Sequence, residues 1–139
     1  MILAPLAILQ FAKGAGFEPA LLPTMTAIAL RESGGDPNVH NGNAATGDDS
    51  YGLWQINWKV PQIVTLLSAH GITDPKQLLD PATNAKAAFL LYGGKLSNLK
   101  LAWYVYDGKP QHAVYQARYE SHLPAAQWAA VQSALGIVT

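Results

Sequence analysis

The chain has no cysteine among its 139 residues, which excludes a disulfide framework and any thiolate-held metal. The absence leaves the compartment open and says only that stability does not depend on redox state. Excess charge is lacking too. Nine Lys and Arg balance nine Asp and Glu, and 13% of residues are charged, so there is no electrostatic footprint for nucleic acid or an anionic membrane. No apolar run approaches the roughly 20 residues of a membrane-spanning helix. The opening Met1-Ile2-Leu3-Ala4-Pro5-Leu6-Ala7-Ile8-Leu9 is short and has no basic residues ahead of it. It reads as the first helix of the fold and not as an export signal. That fits a domain of a larger protein or a protein delivered by another route.

Half of the residues are apolar, enough for one domain, 1–139, with a genuine core. Proline after an acidic residue at Asp36-Pro37, Asp74-Pro75 and Asp80-Pro81 has the form of an N-cap followed by the first helical position. Gly14, Gly71, Gly93-Gly94, Gly108 and Gly136 stand where helix C-cap glycines belong. Together these signals predict helices near 3–13, 22–33, 60–70, 75–80, 81–95, 99–106, 110–120 and 124–135. Leu78, Leu79, Ala82, Ala85, Ala88, Phe89 and Tyr92 recur at the three-to-four spacing of a core-facing helix. Residues 38–49 are rich in Asn, Gly, Ala and Asp, and a loop of that length is usually functional or mobile. Within 39–58 a short hairpin is expected. The fold class is therefore all-α: a mainly helical single domain with a small loop or β-hairpin insert.

The chemistry concentrates in two stretches, Arg31-Glu32-Ser33-Gly34-Gly35 and Ser50-Tyr51-Gly52-Leu53-Trp54-Gln55-Ile56-Asn57. Glu32 closes the apolar run Met25-Thr26-Ala27-Ile28-Ala29-Leu30. Burial and the negative end of a helix both disfavour an ionised carboxylate, which suits a residue that must carry a proton near neutral pH. The bland alternative is a Glu that ends a helix and faces water beside Arg31. His40, His70, His112 and His122 are scattered without paired-ligand spacing, so no metal site is expected. No phosphate-loop or dinucleotide motif occurs either, and no cofactor is expected.

The pair of stretches resembles the lysozyme-like superfamily, in its branch of soluble lytic transglycosylases, goose-type lysozymes and phage-tail muramidases. The resemblance covers about residues 15–110 and implies an α+β lysozyme-like fold with a small insert beside the active-site cleft. It implies cleavage of the β-1,4 bond between N-acetylmuramic acid and N-acetylglucosamine in peptidoglycan, with Glu32 as catalytic acid. Because the glycan is anionic and the chain neutral, holding it falls to stacking and hydrogen bonds; four Trp and six Tyr are present. In c-type lysozymes an Asp just before the Y-G-x-x-Q-I-N segment is the second carboxylate. Asp49 fits that place to within one residue, with Ser50 in the family's own position, and transglycosylases dispense with it.

The resemblance further places Ser33, Asp48, Tyr51, Gln55 and Asn57 on the substrate, the Gln55 amide offering donor and acceptor to an acetamido group. A competing role for Gln55 is a bond to neighbouring backbone. Ala102-Trp103-Tyr104-Val105-Tyr106-Asp107-Gly108 resembles the A-A-Y-N-A-G region of transglycosylases, with Tyr106 rather than Tyr104 as the residue beside the acid. Trp54, Tyr115, Tyr119 and Trp128 are expected to pack in the core. The expected partner is the peptidoglycan glycan strand, met by a monomeric domain of a phage tail protein in the bacterial wall, or else by a bacterial envelope enzyme. A wall-binding module without activity is the reading from another class.

Overall fold

The computed structural model describes residues 1–43, 45–92 and 125–138. Helix α1, Pro5–Ala15, starts with proline at its first position and ends at Gly16, whose φ of 113° is left-handed and whose N–H reaches the Ala12 and Lys13 carbonyls. The helix thus runs past Gly14, the expected cap. A Cβ at Gly16 would stand 3.2 Å from the Phe89 ring, and Phe17 meets Phe89 edge-to-face at 5.3 Å. Tertiary packing decides which of the two glycines stops the helix.

A 3-10 turn, Pro19–Leu21, leads into α2, Leu22–Ser33, on the predicted bounds. Every residue from Leu22 to Leu30 is buried, which marks a central helix enclosed on all sides. It packs against α1 and against α5, Ala125–Val138, while α1 also packs on α4, Pro81–Tyr92. Val131 and Ala134 of α5 are buried and Trp128 packs partly buried on the core, as expected. Gly136 lies inside α5 and does not end it.

The insert is a three-stranded antiparallel sheet in the order β1-β2-β3, with β1 His40–Asn43, β2 Asp48–Tyr51 and β3 Ile56–Asn57. It falls in the expected hairpin region. The Asp36-Pro37 pair starts no helix: the Asn38 N–H bonds Asp36 Oδ1 at 2.9 Å, a side-chain turn of the kind that competes with helix caps. After the sheet come α3, Pro61–Ala69, and a 3-10 turn, Pro75–Leu79, where a helix was expected. Gly71 follows α3 with φ +85°, as a terminating glycine should. Asp74 and Gln77 form a capping box, and Asp80 caps α4 through the Thr83 N–H and hydroxyl.

Of the apolar face predicted on α4, Ala85 and Ala88 are buried, Phe89 and Tyr92 half-buried, and Ala82 exposed. The helices expected at 99–106 and 110–120, with Tyr115 and Tyr119, lie outside the described residues. Among those described, no helix is long and apolar enough to cross a membrane. The whole is mainly helical with one small sheet, the α+β arrangement that the resemblance implied.

Candidate active site

Glu32 stands in the last turn of α2 and is half-buried, next to an exposed Arg31. Its helix ends because Gly34 and Gly35 adopt φ of +65° and +83°, a region costly for side chains other than glycine. Ser33, 8% exposed, donates its hydroxyl to Ala29 O at 2.8 Å and accepts the Gly35 N–H at 3.3 Å. The hydroxyl that was expected on substrate is therefore turned toward backbone, where it closes the helix.

The second stretch is tied to α2 by Trp54. That residue is fully buried, as expected of core, and its indole N–H donates to Met25 O at 2.9 Å. Met25 is two turns before Glu32, so this bond sets the height of the Tyr51–Asn57 segment along the helix carrying the carboxylate.

Within the sheet, His40 is paired with Tyr51 and Tyr51 with Ile56, while Asn41 is paired with Ser50 and Ser50 with Asn57. Because strand side chains alternate, His40, Gly42, Asp49, Tyr51 and Ile56 share one face and Asn41, Asn43, Asp48, Ser50 and Asn57 the other. The neighbouring acids thus point apart. Asp49 Oδ1 lies 2.6 Å from His40 Nε2, and the His40 ring stacks on Tyr51 at 4.2 Å and 13°. Burial raises the Tyr51 phenol above its ordinary pKa, and the charge of Asp49, its hydrogen bond and the charge of Asp74 add to the rise. Asp48 takes the Ser50 hydroxyl. The Asn57 side-chain oxygen Oδ1 accepts the main-chain N–H groups of Asp49 and Lys59.

Gln55 is the one non-glycine with positive φ among the described residues, at 49°. Its NH2 donates to Val39 O at 3.2 Å and Gly52 O at 2.9 Å, and its oxygen accepts from Asn41 Nδ2 at 2.8 Å. The backbone-bonding role weighed from sequence is the one seen, and these bonds use all but one acceptor lone pair of the amide. Tyr106, like Tyr104, lies outside the described residues.

Two residues of this region were not singled out from sequence. His40 is nine positions from Asp49, and nothing local connects them. Asn84 did carry a signal: it is a polar residue flanked by core positions of an alanine-rich helix, and buried polar groups are the informative ones. It is 0% exposed. Its amide accepts the main-chain N–H of Trp54 at 2.9 Å and donates to Tyr51 O and Leu78 O, each at 2.8 Å, so it pins the loop between β2 and β3.

A family model described as a lysozyme-like domain matches residues 9–97, a span holding Glu32, the sheet and Asn84. No curated protein and no solved structure matches the chain.

Proposed function

The chain belongs to the lysozyme-like domain family, and from that footing we propose that it is a glycosidase cutting the β-1,4 bond between N-acetylmuramic acid and N-acetylglucosamine in peptidoglycan. The observation that carries the proposal is Glu32, half-buried at the end of the enclosed helix α2 and tied through Trp54 to a polar segment of sugar-binding character. Glu32 gives its proton to the glycosidic oxygen as the bond to the anomeric carbon breaks. The resulting carboxylate then takes the proton of the muramic acid C6 hydroxyl as that oxygen closes on the anomeric carbon. The proton returns to Glu32 and a 1,6-anhydro sugar leaves.

This single-carboxylate route, that of a lytic transglycosylase, is supported by the two acids of the sheet. Asp49 is held by His40, and Asp48 by Ser50. The alternative is a hydrolytic muramidase in which Asp49 turns from His40 to position a water. In either case Asn57, Gln55, Asp48, Tyr51 and Tyr106 are proposed to line the glycan path, with Ser33 closing the helix turn that carries Glu32. The proposed setting is a phage tail that opens the wall locally, on the strength of the resemblance of the Trp54-bearing motif.

Mass spectrometry of muropeptides released from purified sacculi tests the proposal. Fragments lacking one water, and a loss of at least about a hundredfold in Glu32→Gln, are expected for removal of an acid that also serves as base. Ordinary reducing ends point to the muramidase. Binding without fragments from either protein overturns the enzyme reading in favour of a wall-binding module.

A further inference from the structure

The last carbonyls of a helix have no intrahelical donors, so a side chain there frays unless its turn is closed. Around Glu32 the local closures are the Gly34 N–H on Leu30 O at 3.0 Å and the Ser33 hydroxyl between Ala29 O and the Gly35 N–H. One closure is not local. The Leu3 N–H, in the extended segment before α1, donates to Gly35 O at 2.8 Å. It fastens the turn after α2 to the segment before α1.

Gly35 is buried against the same segment. A Cβ there would stand 3.2 Å from Leu3 O and 3.4 Å from Ile8 Cδ1 and Leu30 Cδ2. The chain entering α1 therefore crosses the Gly34–Gly35 turn and touches it through main-chain N–H and carbonyl alike. Leu3 itself is partly buried against the core, but a side chain of another size could fill that place. Its amide hydrogen has no such substitute.

We propose that the segment before α1 is a strap that positions Glu32, and that Leu3 is its positioning residue, acting through the main-chain N–H on Gly35 O. The inference rests on Glu32 being the acid. A catalytic group must hold its place to within about 0.5 Å, and a displacement of about 1 Å costs up to a hundredfold in rate. The bond closes the turn after Glu32 and lies outside the sheet, so its expected effect is on turnover more than on substrate binding.

The test compares Leu3→Pro, which removes the N–H, with Leu3→Ala, which keeps it and trims the packing. On soluble glycan strands, Leu3→Pro is expected to lower kcat about tenfold with KM unchanged and to speed amide exchange at residues 30–35. Leu3→Ala keeps the wild-type kcat even where its Tm falls. Wild-type kcat in a folded Leu3→Pro, or an equal kcat loss in Leu3→Ala, overturns the strap. If Leu3→Pro does not fold, amide exchange in the wild type decides: protection of the Leu3 N–H supports the proposal, and exchange at the rate of a free amide overturns it. An inactive wild type whose exchange contrast persists would remove the enzyme reading while leaving the strap as a structural fact.

Discussion

Asn84 stands where a side chain on Gly52 would have to go. A Cβ at Gly52, whose φ is +79°, would overlap the Asn84 amide and Leu78 O, and the same amide bonds the main chain on both sides of that glycine. The two residues are a matched pair: the glycine admits the amide, and the amide holds the loop that the glycine bends. Asn84→Ala leaves the main-chain N–H of Trp54 and Leu78 O buried without this partner, and Tyr51 O partly so. At about 1–3 kcal/mol for each buried group left unpaired, a loss of about 3 kcal/mol or more is expected in denaturant unfolding. An Asn84→Ala protein as stable as wild type would refute the pairing.

The His40–Asp49 pair is half-exposed on its histidine side, at 46% against 23% for Asp49. Solvent-accessible pairs contribute about 0–1 kcal/mol, so His40→Ala lowers stability only slightly. On the single-carboxylate route neither residue takes part in a chemical step, so His40→Ala and Asp49→Asn are both expected to keep activity of the wild-type order. Fragment release from sacculi checks this. A loss of about a hundredfold in a folded Asp49→Asn would instead identify a second working carboxylate.

The left-handed backbone of Gln55 separates two substitutions that remove the same amide. Gln55→Ala and Gln55→Gly both lose the bonds to Val39 and Gly52. Only the alanine keeps the cost of left-handed φ, about 1–2 kcal/mol for a residue with Cβ. Gln55→Gly should therefore be the more stable of the two by about 1 kcal/mol in chemical unfolding. Equal stabilities would mean that the loop relaxes out of φ 49° once the amide is gone.

Alkaline pH should unfold the protein through its tyrosines. Burial pushes Tyr92, at the end of α4, up to about 12 from 10.0, and Tyr51 is raised in the same direction by burial and by Asp49. A raised phenol pKa means that the unfolded chain releases its proton first. The associated stability is whole below pH 10 and falls as pH climbs toward 12, by about 2–3 kcal/mol for Tyr92 at 1.36 kcal/mol per unit. Tyr92→Phe should flatten the decline in stability measured between those two pH values. A slope unchanged in Tyr92→Phe would assign the alkaline limb elsewhere.

Much of the helical frame could be read in advance because its signals are local. The apolar run ending in Glu32-Ser33-Gly34-Gly35 defined α2 to the residue, and Asp80-Pro81 marked the start of α4. Local signals failed where two local outcomes were close in energy. Asp36-Pro37 formed a side-chain turn in place of a cap, and α1 continued past Gly14 to the glycine that Phe89 packs upon. The two motif stretches were legible, but the hydrogen-bond partners of their side chains were not. Ser33 and Gln55 bond backbone, and Asp49 turns to His40.

By itself, the sequence determined a neutral, cysteine-free, mainly helical chain and the stretch that ends a buried helix in a carboxylate, because periodicity, capping and φ preference act over a few neighbouring residues. The tertiary structure alone decided which atoms face one another: Leu3 on Gly35, Trp54 on Met25, His40 on Asp49, Asn84 beneath Gly52. Those contacts join residues from nine to more than thirty positions apart. Their partners are chosen by how α2, α4 and the sheet pack, and no local preference encodes that choice.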